Sequence, residues 1–149
     1  VRMVRPSQEQ LLAKRIGVIE VGLHARNDYL QQHGTPQSLN DLTTHSVIGY
    51  DQESAFIRSL AVKGFDRSAF SLSSDSDLAQ LALIRAGAGI GGCQVKLARQ
   101  DTRLSRVMPD AFALQLDTWV TMHEDLRNSP RCRVTFDALV AGLQHYVQD

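Results

Sequence analysis

Two long segments alternate apolar and polar residues, and they bracket most of the chain. "RIGVIEVGLHA" sets Ile19, Val21 and Leu23 on one face, and "LQLDTWVTMHE" repeats the alternation about a hundred residues later. A period of two is that of a half-buried strand. Strands over 16–24 and 116–123 therefore frame a central block of about ninety residues, in the manner of a paired hinge between two lobes. At 149 residues the chain has room for one domain or two small lobes, and can bury roughly 68–70% of its unfolded surface.

Helical and strand-like segments alternate inside and outside the block. "VRMVR" reads as a short strand over Val1 to Arg5, "NDYLQQHG" as a helix closed by Gly34, and "SLNDL" as a turn with a capping box from Ser38 to Asp41. "SVIGY" is a strand ending at Tyr50, "SAFIRSLAVKG" a helix stopped at Gly64, and "AFSLS" a strand. In "SSDSD" the Ser74–Asp77 spacing predicts the cap of a helix that runs to Ala86 and is apolar on most sides. "GIGGC" and "LSRVM" are short strands around the turn "QDTR". Ser129 and Pro130 open a last helix, with Cys132, Phe136, Leu139, Val140, Leu143 and Val147 as its apolar stripe. The fold class is α/β.

The stretch "RAGAGIGGC" contains Gly87-x-Gly89-x-x-Gly92, the spacing of a dinucleotide-binding fingerprint. That fingerprint works in one order: strand, glycine turn, then a helix facing the pyrophosphate. Here the helix precedes the glycines, a strand follows them, and no helix comes directly after. Gly87 is therefore read as a left-handed helix stop.

Sixteen basic and sixteen acidic residues cancel, so no strong field draws this chain to DNA or to an anionic membrane. No apolar run approaches the roughly 18 residues that span a bilayer, and no signal peptide is visible. Val1 reads as a start inside a fold, as of a fragment. Cys93 and Cys132 form neither a disulfide framework nor a C-x-x-C motif, which suits a reducing cytoplasm. Cys93, after the glycine run, reads as a packing residue rather than a redox thiol, and Cys132 as core. The histidines at 24, 33, 45, 123 and 145 are scattered; His33 and His45 sit by turns and should be exposed, and His123 belongs to a solvated strand end rather than a metal site. Asp75 and Asp77 could pair for acid–base work, but a helix N-terminus stabilises carboxylates without catalysis. No nucleophile–base set, metal motif or cofactor motif occurs, so neither an enzyme nor a cofactor is expected.

Several segments together are similar to one family. "YLQQHGTPQSLNDLTTHSVI", "DLAQLALIRAGAGIGGCQVKLA" with "LSRVMPD", and "DTWVTMHEDLRNSPRCRVTFDAL" resemble, in order and spacing, the regulatory domain of LysR-type transcriptional regulators. The resemblance implies a two-lobe fold like type II periplasmic binding proteins, with a small effector bound between the lobes. The second lobe, 20–115, reads as complete, and the first, 1–19 and 116–149, as partial. Full-length members carry an N-terminal winged helix-turn-helix, so DNA would be bound only through that missing part, by a homo-oligomer (dimer or tetramer) in the cytoplasm. The alternative is a stand-alone solute-binding protein of the same fold; upstream sequence separates the two.

Ligands of open α/β sheets collect beyond the carboxyl ends of strands. Two such loops are "GYDQ" and "SSDS", and the resemblance points to the same pair. Tyr50 is expected to stack on the effector with Asp51 and Gln52 as polar partners, while Ser73, Ser74 and Asp75 contribute hydroxyls and a helix N-terminus. Asp75 argues against a strongly anionic effector at that point unless it points away, so the charge of the ligand stays open.

Overall fold

The computed structural model describes residues 1–3, 5–6, 8, 10–52 and 67–148. The helix expected over 54–64 lies outside them. The strands are β1 (Leu11–Arg26), β2 (Val47–Gly49), β3 (Leu72–Ser73), β4 (Ile90–Gln94), β5 (Leu104–Val107) and β6 (Leu114–His123). The α-helices are α1 (Asn27–His33), α2 (Asp77–Ala86), α3 (Val95–Arg99) and α4 (Pro130–Gln148). The chain divides into two compact units, one of Val1–Glu20 with Gln115–Asp149, the other of Val21–Leu114.

In the Val21–Leu114 unit the strands lie in the order β3-β2-β4-β1-β5. β2 pairs parallel with both β3 and β4, whereas β1 runs antiparallel to β4 and β5. Neighbouring residues of one strand face opposite sides, and both sides are covered. Val47 and Ile90 join Leu23, Tyr29 and Leu42 on one, while Ile48 and Cys93 join Leu81, Ile84 and Ala98 on the other. Ile84 and Ile90 are fully buried. Burying such a side chain contributes about 1.5–3 kcal/mol, so the packing of α2 is a principal anchor of this unit.

The glycine run behaves as a stop followed by a close approach. Gly87 adopts φ 78°, ψ 23°, and its amide and that of Ala88 close the helix on Ile84 and Leu83. At Gly89 an added Cβ would lie 2.3 Å from the Ser46 carbonyl oxygen, which accepts the Ile90 amide. A helix, α3, does follow β4, contrary to expectation, but Gly91 and Gly92 lie within the strand itself rather than in a turn that leads into the helix.

Other expectations are corrected by tertiary contacts. "AFSLS" supplies only Leu72–Ser73 as strand, because a 3-10 turn, Arg67–Ala69, occupies its start. The helix cap is Ser76, whose side chain accepts from the Ala79 amide, rather than Ser74. α2 is less apolar in its burial than its composition suggests: Gln80 is buried and Leu78 is 80% exposed. His33 is exposed, but His45 is half-buried, its Nδ1 3.2 Å from the Tyr29 hydroxyl. Cys93 is buried, with its sulfur 3.3 Å from His24 Nδ1, and burial pushes its thiol up to about 11. Little thiolate exists at neutral pH, which agrees with a packing role.

In the other unit, β6 pairs with β1, and of the strand expected at Val1 to Arg5 the described residues show one bridge, Arg2 with Trp119. Val120, Met122 and Phe136 form its core, with Leu12, Ile16, Cys132, Val140 and Leu143 packed around them. Cys132 is thus half-buried rather than fully core. Leu139, placed on the apolar stripe, is 44% exposed. His123 closes β6, its Nδ1 3.3 Å from the Asp125 amide.

Candidate functional site

The parallel pairing of β2 with β3 decides which residues meet. Its register opposes Ile48 to Leu72 and Gly49 to Ser73. The loops that leave the two strands, Tyr50–Gln52 and Ser74–Ser76, therefore emerge side by side. Gly49 is required at this point, because a Cβ there would sit 2.5 Å from the ring of Phe70.

Hydrogen bonds tie the loops to each other. One oxygen of Asp75 accepts the amides of both Asp51 and Gln52, each at 3.0 Å. Ser73 Oγ donates to the Asp51 carboxylate at 3.1 Å, and Arg67 Nη2 donates to the same oxygen at 2.9 Å. Arg67 first, and then Ser73, hold the Asp51 carboxyl below its usual range. Ser74 takes a different part: its amide donates to Gly49, its hydroxyl accepts the Ser76 amide, and its carbonyl accepts Gln80 Nε2 at 2.7 Å. A buried glutamine on α2 thus fixes the height of the loop.

Tyr50 lies between core and surface. Its ring packs against the cluster of Leu23, Val47 and Ile90, and its hydroxyl donates to Asp77 at 2.9 Å. Burial first, and the Asp77 carboxylate second, push its phenol well above the ordinary range. The hydroxyl stays protonated at physiological pH and can donate to a ligand only by leaving Asp77.

All six residues expected from the sequence, Tyr50, Asp51, Gln52, Ser73, Ser74 and Asp75, fall in this one cluster. Arg67, Asp77 and Gln80 belong to it as well and were not foreseen as site residues. Arg67 lies in no motif, and Asp77, which could pair with Asp75 for acid–base work, is explained in the sequence by its place at a helix N-terminus. For Gln80 a signal existed, a polar residue on the inward face of a helix otherwise apolar there. Among the described residues no group of three or more histidine, cysteine or carboxylate side chains is placed to hold a metal.

A sequence model of the LysR substrate binding domain matches residues 1–144. No curated protein sequence matches the chain significantly. The fold is similar to the regulatory domain of CrgA, a LysR-type transcriptional regulator from Neisseria meningitidis, with a TM-score of 0.78 at 20% identity over 95% of this chain and 73% of that one. Against the longer CrgA structure the TM-score is 0.77 at 20% identity, over 95% of this chain and 51% of that one. The regulatory domain of AphB in Vibrio vulnificus follows the same course, with a TM-score of 0.63 at 17% identity over 93% of this chain and 71% of that one.

Proposed function

Because the chain belongs to the LysR substrate binding domain family, we propose that it is the effector-sensing part of a bacterial LysR-type transcriptional regulator. Its ligand is a small molecule received at the loops after β2 and β3, by Tyr50, Asp51, Gln52, Ser73, Ser74 and Asp75. DNA is contacted by an N-terminal helix-turn-helix of the kind such regulators carry, in a cytoplasmic homo-oligomer. Effector binding biases the arrangement of those DNA-binding parts and is not followed by catalysis. Among the described residues no helix is long and apolar enough to cross a membrane.

The observation that carries this reading is the pairing of two polar loops by the β2–β3 register at the carboxyl ends of parallel strands, the usual place for a ligand in an open α/β sheet. Three carboxylates (Asp51, Asp75 and Asp77) stand beside one guanidinium, Arg67, among the described residues. That balance favours a neutral or cationic polar effector over a dianion.

The test is a calorimetric titration with an effector found by thermal-shift screening of small metabolites. Ser73→Ala and Tyr50→Ala should each weaken binding a few-fold, the loss of about 0.5–1.5 kcal/mol per hydrogen bond. Unchanged affinity in both variants would remove the site from these loops.

A further inference from the structure

The opposite edge of the same sheet is built from cations. β1 runs antiparallel to β4 and β5, so Arg26, its last residue, lies where β4 and β5 begin, away from the loops after β2 and β3. An open cavity of about 450 Å³ there is lined by Arg26, Asn27, Asp28, Gln31, Thr102 and Arg103. Small-molecule sites commonly occupy about 300–1,000 Å³.

The charges around this cavity do not cancel. Arg26 grips Asp28 with Nε and Nη2 and donates from Nη1 to the Arg85 carbonyl. Arg103 grips Asp101 with Nε and Nη2, both at 2.9 Å, and Arg85 Nε lies 3.2 Å from the same carboxylate. Three guanidiniums share two carboxylates. The Arg26 guanidinium is raised above its usual pKa by its hydrogen bond to Asp28, and the charge of Arg103 opposes that rise, as two cations held close together require.

Part of the arrangement has a structural purpose. Arg26 and Arg85 stand at the last turn of α2, where cations stabilise a helix terminus. Arg103 has no such duty, and its spare capacity is all donor. Among the described residues its Nη1 has no partner, nor do the Gln31 side-chain amide and the Thr102 hydroxyl. The acceptors, in contrast, are engaged. Asn27 Oδ1 takes Ser105 Oγ at 2.7 Å, and Asp28 takes Arg26 and the Tyr29 amide.

We propose that this cavity binds a small oxyanion, a carboxylate or a phosphate, held by Arg103 Nη1 with Gln31 and Thr102 and drawn in by the surplus guanidinium charge. The site is separate from the effector loops and does not depend on their assignment.

The chain is titrated with inorganic phosphate and, separately, with succinate at fixed ionic strength, while amide NMR shifts of Asn27, Gln31 and Thr102 are followed and sodium chloride serves as control. Saturable shifts are expected with at least one of the two oxyanions, and the tighter one identifies the ligand chemistry. Arg103→Gln should weaken that binding about tenfold, as for one lost charge-assisted contact, and Ser73→Ala should leave it unchanged. Arg103 is two-thirds exposed (66%), so its variant should keep the native spectrum elsewhere, and Gln31→Ala provides a second, smaller reduction. Shifts that chloride reproduces, that persist undiminished in Arg103→Gln, or that vanish in Ser73→Ala would each overturn the proposal.

Discussion

Helix α2 joins two unlike neighbourhoods. At its N-terminal end stand Asp51, Asp75 and Asp77 against Arg67; at its C-terminal end stand Arg26, Arg85 and Arg103 against Asp28 and Asp101. A chain whose formal charge is zero is therefore locally polarised along one helix. Part of the reason is the helix itself, since carboxylates near the first turn and cations near the last are each worth about 0.3–1 kcal/mol. The difference between the ends lies in what remains after that. At the acidic end the carboxylates are spent on amides and hydroxyls that shape loops. At the basic end a guanidinium edge, an amide and a hydroxyl are left over.

The largest effect should come from the element common to both ends. Ile84 on α2 is fully buried, and Ile84→Ala should cost about 2–5 kcal/mol through transfer and cavity terms. Urea denaturation measures it, and hydrogen exchange should quicken at Gln52 and Arg103 together. Loosening at one end alone would mean that the two neighbourhoods are held independently.

Asp75→Ala sharpens the contrast at the acidic end. It frees the amides of Asp51 and Gln52, at a local cost of about 0.5–1.5 kcal/mol. Exchange of those two amides should accelerate up to roughly tenfold, with Asn27 and Arg103 unaffected. No acceleration would show that other contacts hold the loop.

At the basic end the corresponding test is pH. Arg103, the main cause, keeps Asp101 down at about 2, below the roughly 3.9 of an unfolded aspartate. A depressed carboxylate contributes stability that is present above the unfolded value and lost as pH falls from about 4 toward 2. Arg103→Gln should move the Asp101 midpoint up toward the ordinary range and flatten the acid limb of stability in that window. An unmoved midpoint in the side-chain NMR titration would place the depression on Arg85 instead.

The smallest effect belongs to Leu78, 80% exposed in the first turn of α2. Leu78→Ala should change stability by less than about 0.5 kcal/mol. A larger loss in thermal melting would show that this face of the helix is covered in solution.

What the sequence made legible follows from which forces are local. The stop at Gly87 needs only a residue tolerant of positive φ, so composition and position announce it. The loops at Tyr50 and Ser73 follow from where strands end. The cap was misplaced by two residues because "SSDSD" offers two registers of similar quality. Gly49 and Gln80 choose between them by taking the amide and the carbonyl of Ser74, and the Gly49 contact comes from twenty-five residues away. The five-residue α3 carries no boundary signal of its own. Half-burial of His45 depends on Tyr29, sixteen residues away. Arg67 is legible only once β2 and β3 are paired.

The double grip of Asp75 on the amides of Asp51 and Gln52 also has a consequence for how a signal can leave this loop. Ordering a residue from a free chain costs about 1–2 kcal/mol of backbone entropy. These two residues are already ordered, so a ligand that settles on them incurs little of that cost. By the same token it cannot use their freezing as its message. Under the proposed function, an effector here would act through an exchange of partners, such as the Tyr50 hydroxyl leaving Asp77 for the ligand, and the free energy of that exchange, rather than a loss of motion, would set the response.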